Sequence, residues 1–370
     1  MNPVERQLRR FDRFQQRHGL VGFPIAVMQK FGNDQAGGKA ALMAYYGLFA
    51  LFPLLLLFAT ILGWLLTDNP SLHRQLLNSA FANFPIIGSQ LRQNTHSLQG
   101  NWFGLTVGVL GTLYGAQGVG QAALNAMNTV WNVPYKNWPN FFKRRLRGYL
   151  WLASLSLATV VSTVIAGFGT TWLHGDLAWL WSLLVAFVIN LGVFYVIFTV
   201  LTAYPLGLRD VWLGVLLGTI FWQALQALGG LYVRHSLTNA SDVYGFFAIV
   251  IGLLSFLFLA AQLTLLAAEV NVVRHYKLWP RSLTQPPLTA ADRATFERLA
   301  LVEERRPEVR VTIGFTAEAD RQPLPENASS DAASDASSSN GGATTPNEAA
   351  SRTGESDRES DDTTSRTGQR

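Results

Sequence analysis

Six long apolar stretches constrain the fold of this chain more than any other feature of its sequence. They run over residues 41–66, 102–127, 149–173, 177–204, 211–233 and 244–272. About 20 mostly apolar residues are enough for a helix to cross ~30 Å of hydrocarbon. The stretches are too long for barrel strands and lack a period-2 alternation, so in lipid a helix is left to satisfy every backbone polar group. The sequence therefore predicts an all-α polytopic integral membrane protein, built as a six-transmembrane-helix bundle.

Lysine and arginine are unequally distributed between the two sides of such a bundle. The N-terminal segment, the second and fourth connections and the start of the C-terminal segment together contain 16 of them, whereas the other three connections contain three. Cytoplasmic connections of membrane proteins carry an excess of these residues, so we expect both termini to be cytoplasmic. Because the basic residues flank apolar stretches, the net charge of +5 indicates membrane lipids as partners and no nucleic acid.

The chain outside the six stretches divides into further segments. Residues 1–40 combine arginines with spaced apolar residues and are predicted to form amphipathic helices, which lie either on the inner leaflet or against the bundle. The connection at 67–101 is predicted to form short helices on the outer face. Residues 277–321 are predicted to be a cytoplasmic segment with a short helix capped by Thr289. Residues 322–370 are rich in Ser, Thr, Asp, Gly and Asn, which predicts a disordered tail.

The sixth stretch carries the sharpest polar feature. Ser255, Gln262 and Glu269 are spaced by seven residues and therefore share one face of an otherwise apolar helix, which should point toward protein or water. Glu269 lies near the C-terminal end of that helix, where the macrodipole disfavours an anion, so we expect a cationic partner. The candidate partners are Arg274, Arg209 and the basic cluster at 143–147. Two interpretations stay open: an ion pair that fixes helix packing, or a role in transport or proton coupling.

Other polar and small residues in the stretches favour helix packing over chemistry. The further intramembrane polar residues are Asn190, Gln223 and Gln226, which more often form interhelical hydrogen bonds than bind ligands. Glycines four residues apart allow helices to approach closely, or would act as pivots in a moving protein. These pairs are Gly104/Gly108, Gly111/Gly115 and Gly214/Gly218. The sequence lacks cysteine, a phosphate-binding loop and a zinc motif, so we expect no metal, no cofactor and no enzyme activity.

Several short motifs occur in the order and spacing of one known family. At the first stretch, Asp34 is followed by the run KAALMAYY, which ends at Tyr45 and Tyr46, and then by Pro53. The later motif positions are Tyr204, Pro205, Tyr244, Gly245 and the run Ala268, Glu269, Val270 and Asn271. Together they resemble the YihY/BrkB family of bacterial inner-membrane proteins over residues 30–276.

The resemblance implies six transmembrane helices and a location in the bacterial inner membrane. Members of the family were once labelled ribonuclease BN, but we expect no catalytic residue, because the sequence carries no catalytic motif. The chain departs from the family pattern at Ala267, where glycine is usual, and at Phe256, where tryptophan is frequent.

Three classes of function stay open. The first is a transporter or lipid-translocating protein that uses the polar face of the sixth helix, because polar groups in lipid are costly and often mark a pathway. The second is a noncatalytic scaffold in envelope assembly, with another copy of the chain or an envelope protein as its partner. The third is a membrane-bound ribonuclease, but its candidate carboxylates, Asp12, Asp34 and Asp210, are dispersed in the sequence. We favour the first, for which the sequence names no substrate.

Overall fold

The fold is seen in a computed structural model that describes residues 3–65, 102–172, 176–236 and 242–320. The regular structure of these residues is entirely helical, which confirms the predicted all-α class. The connection at 67–101 and the tail at 322–370, for which short helices and disorder are predicted, lie outside the described residues.

Nine α-helices occur within the described residues. Three of them are short: α1 (Pro3–Arg17), α2 (Gly19–Asn33) and α9 (Ala290–Leu301). The other six are long: α3 (Ala36–Leu65), α4 (Trp102–Val130), α5 (Phe141–Trp172), α6 (Asp176–Val200), α7 (Leu208–Ser236) and α8 (Asp242–Tyr276). Each long helix covers most of one predicted stretch. The fourth stretch ends early, because the chain leaves the helix after Val200 and bends toward α7.

The six long helices form a closed ring in chain order. Each of them packs against the next, and α8 packs back against α3. Successive helices alternate in direction, so α4, α6 and α8 finish at the end of the ring where α3, α5 and α7 start. We call this the basal end and define it by Ala36, Val130, Val200 and Tyr276. The short helix α2 packs there against α3 and α8, and α8 also contacts α4.

Glycines set the distance between α3 and α4. The glycines of α4 that face α3 are Gly108, Gly111, Gly115 and Gly118. A Cβ built on Gly115 would lie 2.7 Å from the Cα of Ala50, and one built on Gly111 would lie 2.7 Å from the Cβ of Pro53. Real Cβ atoms do not approach so closely, so the two backbones meet because these side chains are missing. This supports the packing interpretation of the glycine spacing.

Three of the long helices are apolar and long enough to cross a membrane when the described residues are searched. The segments are Leu180–Val200, Leu208–Gly229 and Val250–Tyr276. The helices α3, α4 and α5 are 30, 29 and 32 residues long, which also exceeds the length needed to span a bilayer. Three of the six expected spans are found among the described residues, so six membrane spans stay a prediction.

The N-terminal helices and the segment after α8 meet at the basal end. The Asp12 carboxylate in α1 accepts hydrogen bonds from the Leu283 N–H at 3.0 Å and from the hydroxyls of Ser282 and Thr284 at 3.2 and 2.8 Å. Burial alone would raise the pKa of Asp12, but these donors and Gln15 outweigh it and hold the pKa below its usual value. The first and last described segments are therefore joined by a buried carboxylate.

The helix α9 begins as the sequence predicts. The Thr289 hydroxyl accepts from the Asp292 N–H while the Asp292 carboxylate accepts from the Thr289 N–H, which forms a capping box. Asp292 also pairs with the Nε of Arg281 at 2.9 Å, and both side chains are buried. The predicted N-cap at Thr289 is confirmed, and it also anchors the segment that follows α8.

Candidate functional site

Three charged side chains form a fully buried cluster at the basal end, where α2, α4 and α8 meet. Lys30 of α2, Asp34 after its last turn and Glu269 of α8 are 0%, 3% and 0% exposed. The Lys30 Nζ lies 2.5 Å from the Asp34 Oδ2 and 3.1 Å from the Glu269 Oε2. It also donates a hydrogen bond to the Val130 carbonyl at 2.8 Å. We call these three side chains the ion cluster.

The end of α4 provides one acceptor for the ion cluster. This helix finishes in a Schellman motif, in which the chain turns at Asn132 with a φ of 49°, a conformation that asparagine tolerates. The Asn132 amide then donates to the Asp34 Oδ1 at 3.4 Å. The last carbonyls of a helix carry partial negative charge, so the Lys30 ammonium is attracted to the Val130 oxygen. The local turn thus positions both a carbonyl and an amide against the charged groups.

The Lys30 ammonium has a partner for each of its N–H groups, whereas the Glu269 carboxyl group lacks aligned hydrogen bonds from the described residues. Lys30 has three N–H groups and three oxygen partners. Burial alone would lower the pKa of Lys30, but the Glu269 and Asp34 carboxylates outweigh it and raise the pKa, so Lys30 stays charged. Neither Glu269 oxygen accepts an aligned hydrogen bond from the described residues. With both acids ionised, one cation would face two anions in a site closed to solvent.

Two residues beyond Glu269, Asn271 joins α8 to α7. Its Oδ1 accepts a hydrogen bond from the Gly214 backbone N–H at 2.6 Å, and its side chain is fully buried. A Cβ built on Gly214 would lie 2.2 Å from the Asn271 Nδ2 and 2.3 Å from the Ala267 carbonyl oxygen. Glycine is therefore required at position 214 for this helix contact. The helices approach closely here although the chain has Ala267 at the position where the resembled family usually has glycine.

Further polar contacts connect the remaining long helices around the ion cluster. The Asn128 Oδ1 of α4 accepts from the Ala203 N–H at 2.7 Å, which holds the bend after α6. The Arg147 guanidinium of α5 donates to the Thr202 carbonyl at 3.1 Å. At the start of α7, Asp210 lies 3.1 Å from the Nδ1 of a histidine in the last turn of α8, His275. Every long helix of the ring thus has a polar contact or a terminus at the basal end.

The predicted polar face of the sixth helix is buried at one end only. Glu269 lies in the ion cluster, Gln262 is half-buried beside Gly37 at the start of α3, and Ser255 is exposed. Residues seven apart share a direction, but α2 and the end of α4 meet α8 at Glu269, whereas Gln262 lies beside the start of α3. The burial of each residue on this face therefore depends on which element packs against that part of α8.

The predicted cation for Glu269 exists, but it comes from another part of the chain. Arg209, Arg274 and the cluster at 143–147 were the expected sources, whereas the partner is Lys30. Arg274 instead lies over the ring of Trp212, 4.7 Å from its centroid. A signal for Lys30 was present in the sequence, because it is the only charged residue in the 15 residues of α2 and precedes Asp34 by one turn. Spacing alone does not connect it with Glu269, because residues 1–40 are predicted to lie either on the inner leaflet or against the bundle.

The other predicted site residues lie in different surroundings. Asn190 and Gln226 are half-buried, and the Gln223 Nε2 is buried without a hydrogen-bond partner among the described residues. Tyr46 and Pro53 pack on the α4 glycines, while Tyr45 is exposed. Pro205 lies in the bend between α6 and α7, and Tyr244 and Gly245 lie in the first turn of α8. Among the motif positions, Asp34, Glu269 and Asn271 are the ones that form the buried polar site.

The aspartates considered for a ribonuclease site have separate partners. Asp12 is bonded to the segment after α8, Asp34 to Lys30 and Asp210 to His275. Within the described ranges, no group of three or more His, Cys, Asp or Glu side chains could hold a metal ion.

The chain is similar to known membrane proteins over most of its length. It is 28% identical over 275 residues to a UPF0761 membrane protein of Alkalilimnicola ehrlichii, an alignment that covers 69% of this chain and 60% of that relative. It is 26% identical over 296 residues to the inner membrane protein YhjD of Escherichia coli, covering 73% of this chain and 87% of the relative. It is also 24% identical over 270 residues to the ribonuclease-like protein YfkH of Bacillus subtilis, covering 69% and 96% of the two chains. No solved structure matches significantly.

A family model covers the same region of the chain. The model described as Virulence factor BrkB matches residues 27–291, which include Lys30, Asp34, Glu269 and the whole ring of long helices. This confirms the resemblance on which the motif positions were recognised, and the relatives agree with a membrane location for the apolar helices. The chain is therefore a member of the BrkB family of membrane proteins.

Proposed function

We propose that this protein is a transporter of the bacterial inner membrane, and that phospholipids are the first class of substrate to test. The observation that carries the proposal is the ion cluster of Lys30, Asp34 and Glu269. All three side chains are buried, and Glu269 belongs to a helix that is apolar enough to cross a membrane. Ionisable residues in such helices are rare because they are costly, and they commonly mark the path of a substrate or a coupling ion.

The energetics of the ion cluster argue against a purely structural role. Removing a charged group from water costs several kcal/mol per ion, and a buried pair often stabilises a fold no more than apolar side chains of similar size would. A functional need to open the contact would explain why buried charged groups, rather than apolar side chains, are found here. Lys30 stands on α2 outside the ring, while two of its three acceptors, Val130 and Glu269, stand on α4 and α8. Breaking the contact would release three elements together.

The basal end has features of a membrane interface on the cytoplasmic side. Phe141 and Phe142 at the start of α5 are 59% and 81% exposed, and the next turns carry Lys143, Arg144 and Arg145. Aromatic and basic residues mark helix ends at the headgroups, with basic residues in excess on the cytoplasmic side. This favours six spans with both termini inside.

Membrane lipids are also the partner that suits α1. Its side chains Val4, Leu8 and Phe11 are 65%, 45% and 48% exposed on one face, and arginines occupy the opposite face. An amphipathic helix of this kind lies in the plane of a bilayer surface, where its arginines can reach anionic headgroups. The inner-leaflet interpretation is therefore part of the proposal for α1, whereas α2 packs against the bundle.

Transbilayer movement of a fluorescent phospholipid in proteoliposomes tests the function. Wild-type protein is expected to move the probe faster than empty liposomes, and Glu269→Gln is expected to abolish the difference while remaining folded by circular dichroism and gel filtration. Glu304→Gln is the matched control, because Glu304 also pairs with a lysine, Lys136 at 2.5 Å, but lies outside the ring. Equal rates in all four samples would contradict lipid translocation and favour the scaffold in envelope assembly.

A further inference from the structure

The two carboxyl groups of the ion cluster share one buried ammonium. Asp34 and Glu269 contact the Lys30 Nζ at 2.5 and 3.1 Å, and neither Glu269 oxygen accepts an aligned hydrogen bond from the described residues. Asp34 already accepts from Lys30 and from Asn132. Two ionised carboxylates in contact with one cation repel each other, and one proton bound by the pair removes the repulsion and supplies a hydrogen bond.

From this geometry we infer that Asp34 and Glu269 together bind one proton, and that loading and release of this proton drive the opening of the ion cluster. The inference rests on the proposed transport function and assigns its coupling ion. With one proton bound, the positive charge of Lys30 is balanced by the single remaining negative charge. Without it, the closed site holds an uncompensated negative charge, which favours the arrangement that admits water.

A proton suits this site better than a metal cation. The Lys30 ammonium is already in contact with both acids, at 2.5 and 3.1 Å, and a second cation would meet it directly. Sodium and other hard cations are held by several oxygen ligands, and those of Asp34 are engaged with Lys30 and Asn132. A proton needs one lone pair on each of two oxygens, which Glu269 and Asp34 can provide.

The charged groups of the elements that pack on α8 limit what else could titrate here. Besides Lys30, α2 carries no charged residue, and α4 carries none. The first turns of α3 and α7 carry Lys39, Arg209 and Asp210, of which Asp210 pairs with His275 of α8. Arg274 of α8 lies over Trp212. The acids that act directly on Lys30 are thus Asp34 and Glu269.

Infrared spectroscopy of the full-length protein in phospholipid bilayers tests the proton site without requiring transport. A protonated carboxyl group has a C=O stretching band that a carboxylate lacks. Wild type and Glu304→Gln are expected to show this band at neutral pH, and Glu269→Gln is expected to lose it. Asp34→Asn is a second, independent variant: without the Asp34 charge, Glu269 pairs alone with Lys30, ionises, and the band is lost again. Absence of the band from wild type, or its survival in both cluster variants, would overturn the inference.

The same samples separate this inference from the proposed function. Movement of the fluorescent phospholipid is measured with and without a pH gradient across the proteoliposome membrane, and the gradient is expected to change the rate in wild type but not in Glu269→Gln. If the infrared band behaves as expected but no phospholipid moves, lipid translocation fails and the proton site stands. If phospholipid moves and the band is missing, the proton site fails and the function stands.

Discussion

The contact between α3 and α4 and the contacts at the basal end hold helices together by different means. Along α4, glycines at 111 and 115 bring two backbones together through van der Waals contact, and a Cβ there would lie 2.7 Å from its neighbour. At the basal end, Lys30, Glu269 and Asn271 are buried polar groups that bond across helices. In lipid, both close packing and polar contacts associate helices, since apolar side chains gain little by leaving the lipid tails for each other.

The difference predicts how each region can move. Packed glycines tolerate small sliding, because each atom contact contributes little and neighbouring contacts compensate. A buried ion contact has no intermediate state of low energy, since a half-opened pair leaves charges without partners. A protein that needs two distinct conformations is therefore expected to switch at the basal end and to keep α3 and α4 together as a rigid pair.

Replacing Lys30 should have the largest effect on stability. Lys30→Met keeps the apolar stem of the side chain but leaves the buried Asp34 and Glu269 carboxyl groups and the Val130 carbonyl without their cation. Loss of one partner of a buried pair costs about 3–5 kcal/mol of unfolding free energy. Denaturant unfolding of the purified protein in detergent measures the change.

The control for this prediction is a lysine pair with more solvent contact. Lys136 is 29% exposed and its partner Glu304 is 7% exposed, so Lys136→Met should cost less than Lys30→Met, whose partners are fully buried. The double variant with Lys30→Met and Glu269→Gln measures how much of the loss depends on the contact between these two residues. Equal losses in the two lysine variants would show that burial at the basal end has no special energetic role.

Adding one methyl group between α3 and α4 should have the next largest effect. In Gly115→Ala, the new Cβ would meet the Cα and Cβ of Ala50 at 2.7 and 2.8 Å, so the backbones must separate. Overpacking of this kind costs about 1–3 kcal/mol. The matched control is Gly192→Ala in α6, where a Cβ meets nothing within 4 Å and little change in melting temperature is expected. If Gly115→Ala left the stability unchanged, α3 and α4 would be able to separate, which would contradict the expected rigid pair.

The glycine contacts were easier to predict from sequence than the ion cluster. Small residues four apart on one helix are a local pattern, and Gly111 and Gly115 pack as that pattern suggests. Glu269 was recognised because a carboxylate in an apolar helix needs a partner. Its partner was not recognisable from spacing, since Lys30 and Glu269 are brought together only when α2 folds against α8. Periodicity shows which residues share one face of a helix. Whether Glu269 and Ser255 on that face are buried depends on which other elements pack against them.

The contact between Asp12 and the segment after α8 should make the stability of the protein depend on pH. The pKa of Asp12 is lowered in the folded state, so its contribution is present above the unfolded value near 3.8 and is lost as pH falls through the folded value. Asp12→Asn removes an acceptor of several hydrogen bonds and should cost about 2 kcal/mol at pH 7. The difference in melting temperature between variant and wild type should shrink on acidification below about pH 4. A constant difference would indicate that Asp12 is not stabilised as a carboxylate.

The smallest expected effect is at the cap of α9, which lies outside the ring. Thr289→Ala removes the hydroxyl that accepts from the Asp292 N–H and should cost about 1 kcal/mol. Thr289→Ser keeps the hydroxyl and should restore stability. Because Asp292 also holds Arg281 and the segment after α8, loss of the cap should speed hydrogen exchange in α9 and leave the long helices unchanged. If exchange also rises around Glu269, the segment after α8 helps to keep the ion cluster closed, and the basal end opens as one unit.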